Sequence, residues 1–276
     1  MRSTLDSLPE LTQRIIAAIF GGALLISSII YSEWSYFVIF FLICMFASLE
    51  FYKLLGLDGN LPLKSYGTVN SLFIYTLTFL IARQSLETKY YLLIFISLSA
   101  VYLIKLYIKK DKTPFTNIAF TFLGIIYVGI PFALLNLAIF YDNSYNYEII
   151  LGSLFMLWAS DTGAYFAGKN FGRRKLFERV SPKKTWEGSL GGTIAAVSVG
   201  IVLSYYFTSM PVWKWIAISL IIVVAGTYGD LVESLFKRSI RIKDSGRSIP
   251  GHGGFLDRFD GLLIAAPFIV AFVRLF

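Results

Sequence analysis

The chain has 276 residues, 56 % hydrophobic and 15 % charged, where soluble domains carry about 25 % charge. That balance excludes an ordinary soluble domain and predicts an all-α, polytopic integral membrane protein with about nine transmembrane helices. The formal charge of +8 is no sign of nucleic acid, because basic residues in such a chain report topology and anionic headgroups. A single cysteine, Cys44, and a single histidine, His252, exclude an intrachain disulfide and a zinc site.

Met1 to Gln13 is short, mixed in charge and interfacial in character. The first predicted span, Ile15 to Tyr31, is read as uncleaved, because no Ala-x-Ala type site follows it at once. The second, Trp34 to Leu49, ends at Glu50, an acid at the membrane boundary that is either exposed, the preferred reading, or a support for the site. A polar connection from Tyr52 to Ser65 leads to a third span at Val69 to Ala82 and a fourth at Tyr90 to Tyr107. Lys105, Lys109, Lys110 and Lys112 mark the exit of the fourth. The fifth, Ile118 to Phe140, contains Pro131, which predicts a kink. Residues 1–148 therefore read as an N-terminal transmembrane scaffold of about five helices, with no evident chemistry.

The sixth span, Ile149 to Gly168, differs. Asp161, Tyr165 and Gly168 recur at helical spacing, so an acid shares a face with a phenol and a small residue. A bare aspartate at the centre of a span costs about 2.5 to 3.5 kcal/mol, so it needs a partner or water. An interhelical polar clasp is the bland alternative. The next loop, residues 169–187, holds seven Lys and Arg residues. It ends in Ser181-Pro182-Lys183-Lys184-Thr185, whose paired lysines and predicted helix start at Thr185 make an anion site beside the bilayer. Spans follow at Leu190 to Phe207, from Val212 through Gly229, and at Gly261 to Leu275. Residues 149–276 thus read as a C-terminal catalytic region of about four helices with loops 169–187 and 237–260. The connections after spans two, four, six and eight hold 19 of the 25 Lys and Arg residues. The positive-inside rule places them in the cytoplasm. Miscounting one early span would flip the termini but leave both motif loops on one side.

The stretch from Gly229 to Asp260 organises the rest. On a helix, Asp230, Glu233, Ser234 and Lys237 fall within an arc of roughly 100°. Asp257 and Asp260 stand three apart. Between these groups lie Arg238, Arg241, Lys243 and Arg247. Carboxylate pairs suit a hard divalent cation, and basic side chains with glycine N–H groups suit phosphate oxygens. Four acids, Asp161, Asp230, Asp257 and Asp260, are expected to converge at one membrane face. The economical reaction is transfer between a nucleoside triphosphate and a lipid phosphate or alcohol. No Walker-type Gly-x-x-x-x-Gly-Lys-[Ser/Thr] occurs, which disfavours a P-loop ATPase.

The run Ser234-x-x-Lys237-Arg238, then Lys243-Asp244, then Pro250-Gly251-His252-Gly253-Gly254-x-x-Asp257-Arg258-x-Asp260 resembles the signature of the phosphatidate cytidylyltransferase (CDP-diacylglycerol synthase) family. Asp161 to Tyr165 and Ser181 to Gly188 resemble further segments of it. Residues 1–148 match only as hydrophobic spans. The resemblance implies CTP and phosphatidate as substrates, CDP-diacylglycerol and pyrophosphate as products, magnesium as a cofactor with potassium as an option beside it, and a homodimer. It also implies membrane lipids as surroundings, a prokaryotic inner membrane as location, and phospholipid biosynthesis as the role. On that reading Asp230 and Asp257 hold a metal that bridges phosphate oxygens, with Asp260 or Asp161 near a second cation. Lys237, Arg238, Lys243, Arg247, His252, Gly253 and Gly254 hold CTP, while Ser181, Lys183 and Lys184 capture the lipid phosphate. Rival readings are a CTP-dependent polyprenol or dolichol kinase, a cation-coupled transporter and a non-catalytic lipid-binding scaffold.

Overall fold

The structure, a computed structural model, describes residues 10–242 and 253–276. Helix α1 (Glu10–Tyr31) turns at Ser32 into α2 (Glu33–Leu57). There the Ser32 hydroxyl accepts the Ser35 N–H and the Ser35 hydroxyl accepts the Ser32 N–H, satisfying donors that the new helix would leave orphaned. Next come α3 (Lys64–Ala82), a 3-10 turn (Thr88–Tyr91) running into α4 (Leu92–Leu106), α5 (Pro114–Gly124), a π-helical turn (Ile125–Gly129) and α6 (Ile130–Ile139). The second half holds α7 (Glu148–Phe171), an antiparallel hairpin of β1 (Lys175–Phe177) and β2 (Ser181–Thr185), α8 (Trp186–Tyr206), α9 (Val212–Ser239) and α10 (Leu256–Leu275). The architecture is all-α and polytopic. Seven of the described helical segments are long and apolar enough to cross a membrane. Helix α1 adds a shorter apolar stretch, Ala18–Tyr31, and α10 carries Asp257, Arg258 and Asp260 at its start.

Several boundaries move for physical reasons. Helix α2 does not stop at Leu49, because Phe51, Tyr52, Leu54 and Leu55 are buried and continue its packed face for two more turns. Glu50, expected to be exposed, is therefore buried at 6 % exposure. Where a kink is expected at Pro131, the helix is interrupted by a π-helical turn, Ile125–Gly129, and Pro131 stands at the start of α6, where its missing N–H is tolerated. Loop 169–187 is partly ordered as the hairpin, and α10 begins at Leu256 instead of Gly261.

One buried apolar core draws on both halves, from Leu25 and Phe40 through Phe132 to Trp215 and Val273. Two close approaches shape the end where the signature lies. A Cβ on Gly191 would stand 2.2 Å from that of Ala167, so α7 and α8 touch along small residues. A Cβ on Gly229 would stand 2.5 Å from the carbonyl oxygen of Asp260, so α9 and α10 meet backbone to backbone beside their acids.

Candidate active site

The hairpin and α8 form the first wall. The Thr185 hydroxyl accepts the N–H of Gly188 at 3.2 Å and caps α8, as the Ser-Pro-Lys-Lys-Thr run predicts. The Glu187 carboxylate accepts the N–H groups of Arg173 and Arg174 at 3.0 and 3.2 Å, tying the approach to β1 onto the same helix. Strand β2 thereby turns Lys184 inward. Its ammonium donates to Asp230 Oδ2 at 2.6 Å and to the Thr227 carbonyl at 3.2 Å, both on α9. Asp161 from α7, Lys183 and Lys184 from β2 and Asp230 from α9 line one cavity of about 270 Å³, with Tyr165 and Gly168 on its α7 side. Asp161 lies within electrostatic reach of Asp230, and Lys184 and Arg258 are the cations that offset their repulsion. The clasp reading of Asp161 gains no support: it lines the cavity, and among the described residues its carboxylate accepts no hydrogen bond from another helix.

The second group lies one and two turns further along α9. Lys237 donates to Glu233 Oε2 at 3.2 Å, one turn back on its own helix, and to Asp257 Oδ1 at 2.9 Å on α10. Asp257 Oδ2 also takes the Gly254 N–H at 3.3 Å. Gly253, with φ of +86°, makes the left-handed turn that a side chain would strain. Asp260 Oδ1 accepts the N–H of Gly261 at 2.8 Å, and its carboxylate lies within reach of Glu233, Asp230 and Asp161. The four predicted aspartates are thus brought to one end of the bundle, in two linked groups. Ser181 is half-buried, Lys183 and Arg238 are exposed, and the Arg238 guanidinium reaches the Ile242 carbonyl at 3.5 Å. Lys243, Arg247 and His252 lie outside the described residues.

A cation's fit can be judged from the donors themselves. Among the described residues no three acidic, histidine or cysteine side chains form a ready-made metal cage. Magnesium, however, commonly takes only one or two carboxylates and completes its shell with water and substrate phosphate. Glu233 is 3 % exposed, and among the described residues its Oε1 meets no hydrogen-bond donor. The Asp257 and Asp260 carboxylates interact with it directly. Clustered buried carboxylates with an unmatched acceptor suit a hard cation.

Two residues of this end were not picked out as site residues from the sequence. Glu233 was legible as part of the helical face with Asp230 and Lys237, yet only the fold sets it against α10. Glu50 is marked in the sequence as an acid at a span's end, where exposure is preferred over support of the site; the structure places it against the signature turn. Its carboxylate accepts the N–H of Phe255 at 3.0 Å and of Leu256 at 3.4 Å, from the opposite half of the chain.

Comparison with known proteins places these features. A family model described as "Cytidylyltransferase family" matches residues 12–276. The chain is 39 % identical over 176 residues to a protein of Staphylococcus aureus (strain COL) named "Phosphatidate cytidylyltransferase", covering 63 % of this chain and 66 % of that one. Similar values hold for proteins of the same name from Staphylococcus haemolyticus (strain JCSC1435), 37 % over 175 residues, and Staphylococcus saprophyticus subsp. saprophyticus, 38 % over 175 residues. Each of those alignments likewise covers 63 % of this chain and 66 % of the relative. The match therefore spans just under two thirds of these relatives' length.

Proposed function

The chain belongs to the cytidylyltransferase family, and from that premise we propose that it transfers CMP from CTP to phosphatidate, giving CDP-diacylglycerol and pyrophosphate. The observation that carries the reading is the cavity in which Asp161 and Asp230 face Lys183 and Lys184 at one end of a membrane bundle. The second acid and lysine group adjoins it. Two polyanions can be brought together only where positive charge is fixed beside acids able to hold cations. The names of the staphylococcal relatives supply the lipid.

On this reading an oxygen of the phosphatidate phosphate attacks the α-phosphorus of CTP. The bond from that phosphorus to the bridging oxygen breaks, and the electron pair leaves with pyrophosphate. The nucleophile is already anionic at neutral pH, so no side chain has to take a proton from it. The protein's work is positioning and charge stabilisation. Lys183 and Lys184 hold the lipid phosphate, with Ser181 at the mouth of the hairpin. Lys237 and Arg238 hold the triphosphate, together with Lys243, Arg247, His252 and the Gly253-Gly254 backbone. Asp230, Asp257, Asp260 and Asp161 are the carboxylates that would hold magnesium and a second cation such as potassium, and Glu233 joins them. When bound, such ions polarise phosphoryl oxygens and neutralise charge on the departing pyrophosphate. The hairpin and the signature loop face the cytoplasm, where CTP is found.

Purified protein with CTP labelled in both the base and the γ-phosphate, and with phosphatidate, polyprenol or diacylglycerol in turn, tests this. Lipid carrying CMP with release of pyrophosphate is the expected product, dependent on magnesium. Lipid carrying only the γ-phosphate would replace the proposal with a lipid kinase.

A further inference from the structure

Among the described residues, the N-cap position of α10 supplies no side-chain cap. Phe255 precedes the helix with helical dihedrals, and its side chain cannot accept a bond. The first N–H groups of any helix lack intrahelical partners. Here the Gly254 N–H goes to Asp257, and those of Phe255 and Leu256 go to Glu50. Leu256 is fully buried and Gly254 is buried too, so water is a poor substitute. Glu50 reaches this point from α2, 205 residues away in sequence.

Aromatic packing lies beside the carboxylate. Phe46, one helical turn before Glu50, stacks on Phe255 with ring centroids 5.0 Å apart. Phe51 stacks on Phe236, the residue before Lys237, also at 5.0 Å. Helix α2 therefore also packs against the neighbours of both Asp257 and Lys237. The aromatic contacts are non-directional and tolerate sliding. The two hydrogen bonds are directional, and they fix the height and rotation of the first turn of α10.

We propose that Glu50 is a positioning residue for the acid cluster: by holding the Phe255 and Leu256 N–H groups it sets the angle at which α10 offers Asp257 and Asp260 to a cation and to the triphosphate. The assignment of those acids to cation binding rests on the function proposed above. The clamp itself does not. Glu50 acts through the backbone of the signature turn. An acid at the end of an apolar span, otherwise a topological oddity, becomes the tie by which the N-terminal half determines the geometry of the site.

The test uses the full chain in lipid nanodiscs, with Glu50→Gln, Glu50→Ala and, as a control of similar packing loss, Phe46→Ala. Amide hydrogen exchange over residues 253–258 reads the clamp without reference to activity. Glu50→Gln keeps volume and one acceptor oxygen, so it remains folded and its Phe255 and Leu256 amides exchange at least ~10-fold faster. The magnesium concentration for half-maximal CMP transfer reads positioning: it rises at least ~10-fold in Glu50→Gln and more in Glu50→Ala, while the KM for phosphatidate moves less than ~3-fold. Phe46→Ala lowers thermal stability without moving the magnesium dependence. Unchanged exchange in Glu50→Gln, or a magnesium dependence that shifts equally in Phe46→Ala, overturns the proposal. Absence of CMP transfer by the unaltered chain would sink the parent function instead, and the exchange result would still decide the clamp.

Discussion

Two lysine and carboxylate groups in this molecule look alike in sequence and differ in kind. In the N-terminal half, Lys105 pairs with Asp111 at 2.5 Å, with the two side chains 2 % and 1 % exposed. Asp111 Oδ1 takes the Thr113 N–H at 3.0 Å and the Asn117 amide at 2.7 Å, and Lys105 also donates to the Leu61 carbonyl. Every charge in that knot is matched, and it pins the α4–α5 loop to the α2–α3 connection. In the C-terminal half the lysines of the Lys184–Asp230 and Lys237–Asp257 pairs are 26 % and 15 % exposed, and they stand among further acids, one with a buried oxygen that meets no donor among the described residues. A matched buried pair holds structure together. A mismatched one beside a cavity is prepared for a ligand.

The contrast breaks first at Asp257. Asp257→Asn keeps the shape and removes the charge, so CMP transfer should fall below detection, at least ~10⁴-fold or about 5.5 kcal/mol of transition-state stabilisation. The melting curve should move little. Near-normal turnover by this variant would end its assignment to cation binding. The mirror experiment is Lys105→Ala, which leaves Asp111 buried without its counter-charge. It should cost about 3 to 5 kcal/mol of stability, read by thermal or denaturant unfolding in detergent, while kcat of the folded fraction stays within ~2-fold. Were Lys105→Ala to lose turnover with stability intact, the two groups would not differ as argued.

A smaller effect separates the two substrates. Lys184 lies on the hairpin wall of the cavity and Lys237 in the last turn of α9, paired with Asp257. Lys184→Ala should raise the KM for phosphatidate about 10- to 30-fold, worth about 1.4 to 2 kcal/mol, and that for CTP by less than ~3-fold. Equal changes in both would remove the lipid role assigned to the hairpin.

The difference between the two groups also explains what could be read from the sequence. Hydropathy locates the long helices, because a span's composition is a local property. The signature is legible for a similar reason: on α9 the helical period alone puts Asp230, Glu233 and Lys237 on one face. The α2 extension, the hairpin and the burial of Glu50 depend on what packs against them, and single-residue chemistry carries no trace of that. In the sequence Lys105 is legible only as one of the lysines that mark the exit of the fourth span. The fold alone shows that Lys105 and Asp111 are buried and satisfied, and that Lys184 and Lys237 belong to another class.

The smallest effect is also the one that isolates the matched pair. Burial of Asp111 opposes its ionisation, but the bonds from Lys105, the Thr113 N–H and Asn117 outweigh this and hold its carboxyl below the ordinary value. With the folded pKa depressed, the pair's contribution is fully present above the unfolded value of about 3.9 and is lost as pH falls through the folded value. The double variant Lys105→Met with Asp111→Asn removes both charges yet keeps the acceptor oxygen for Thr113 and Asn117, and such apolar replacement of buried pairs is often near neutral. Its melting temperature relative to the unaltered chain should therefore be constant from pH 5 to 8. Below pH 4 the unaltered chain should lose about 2 to 4 °C against it. A difference that opens between pH 5 and 7 would place the titration elsewhere, and one that never opens would mean that Asp111 gains nothing from its partners.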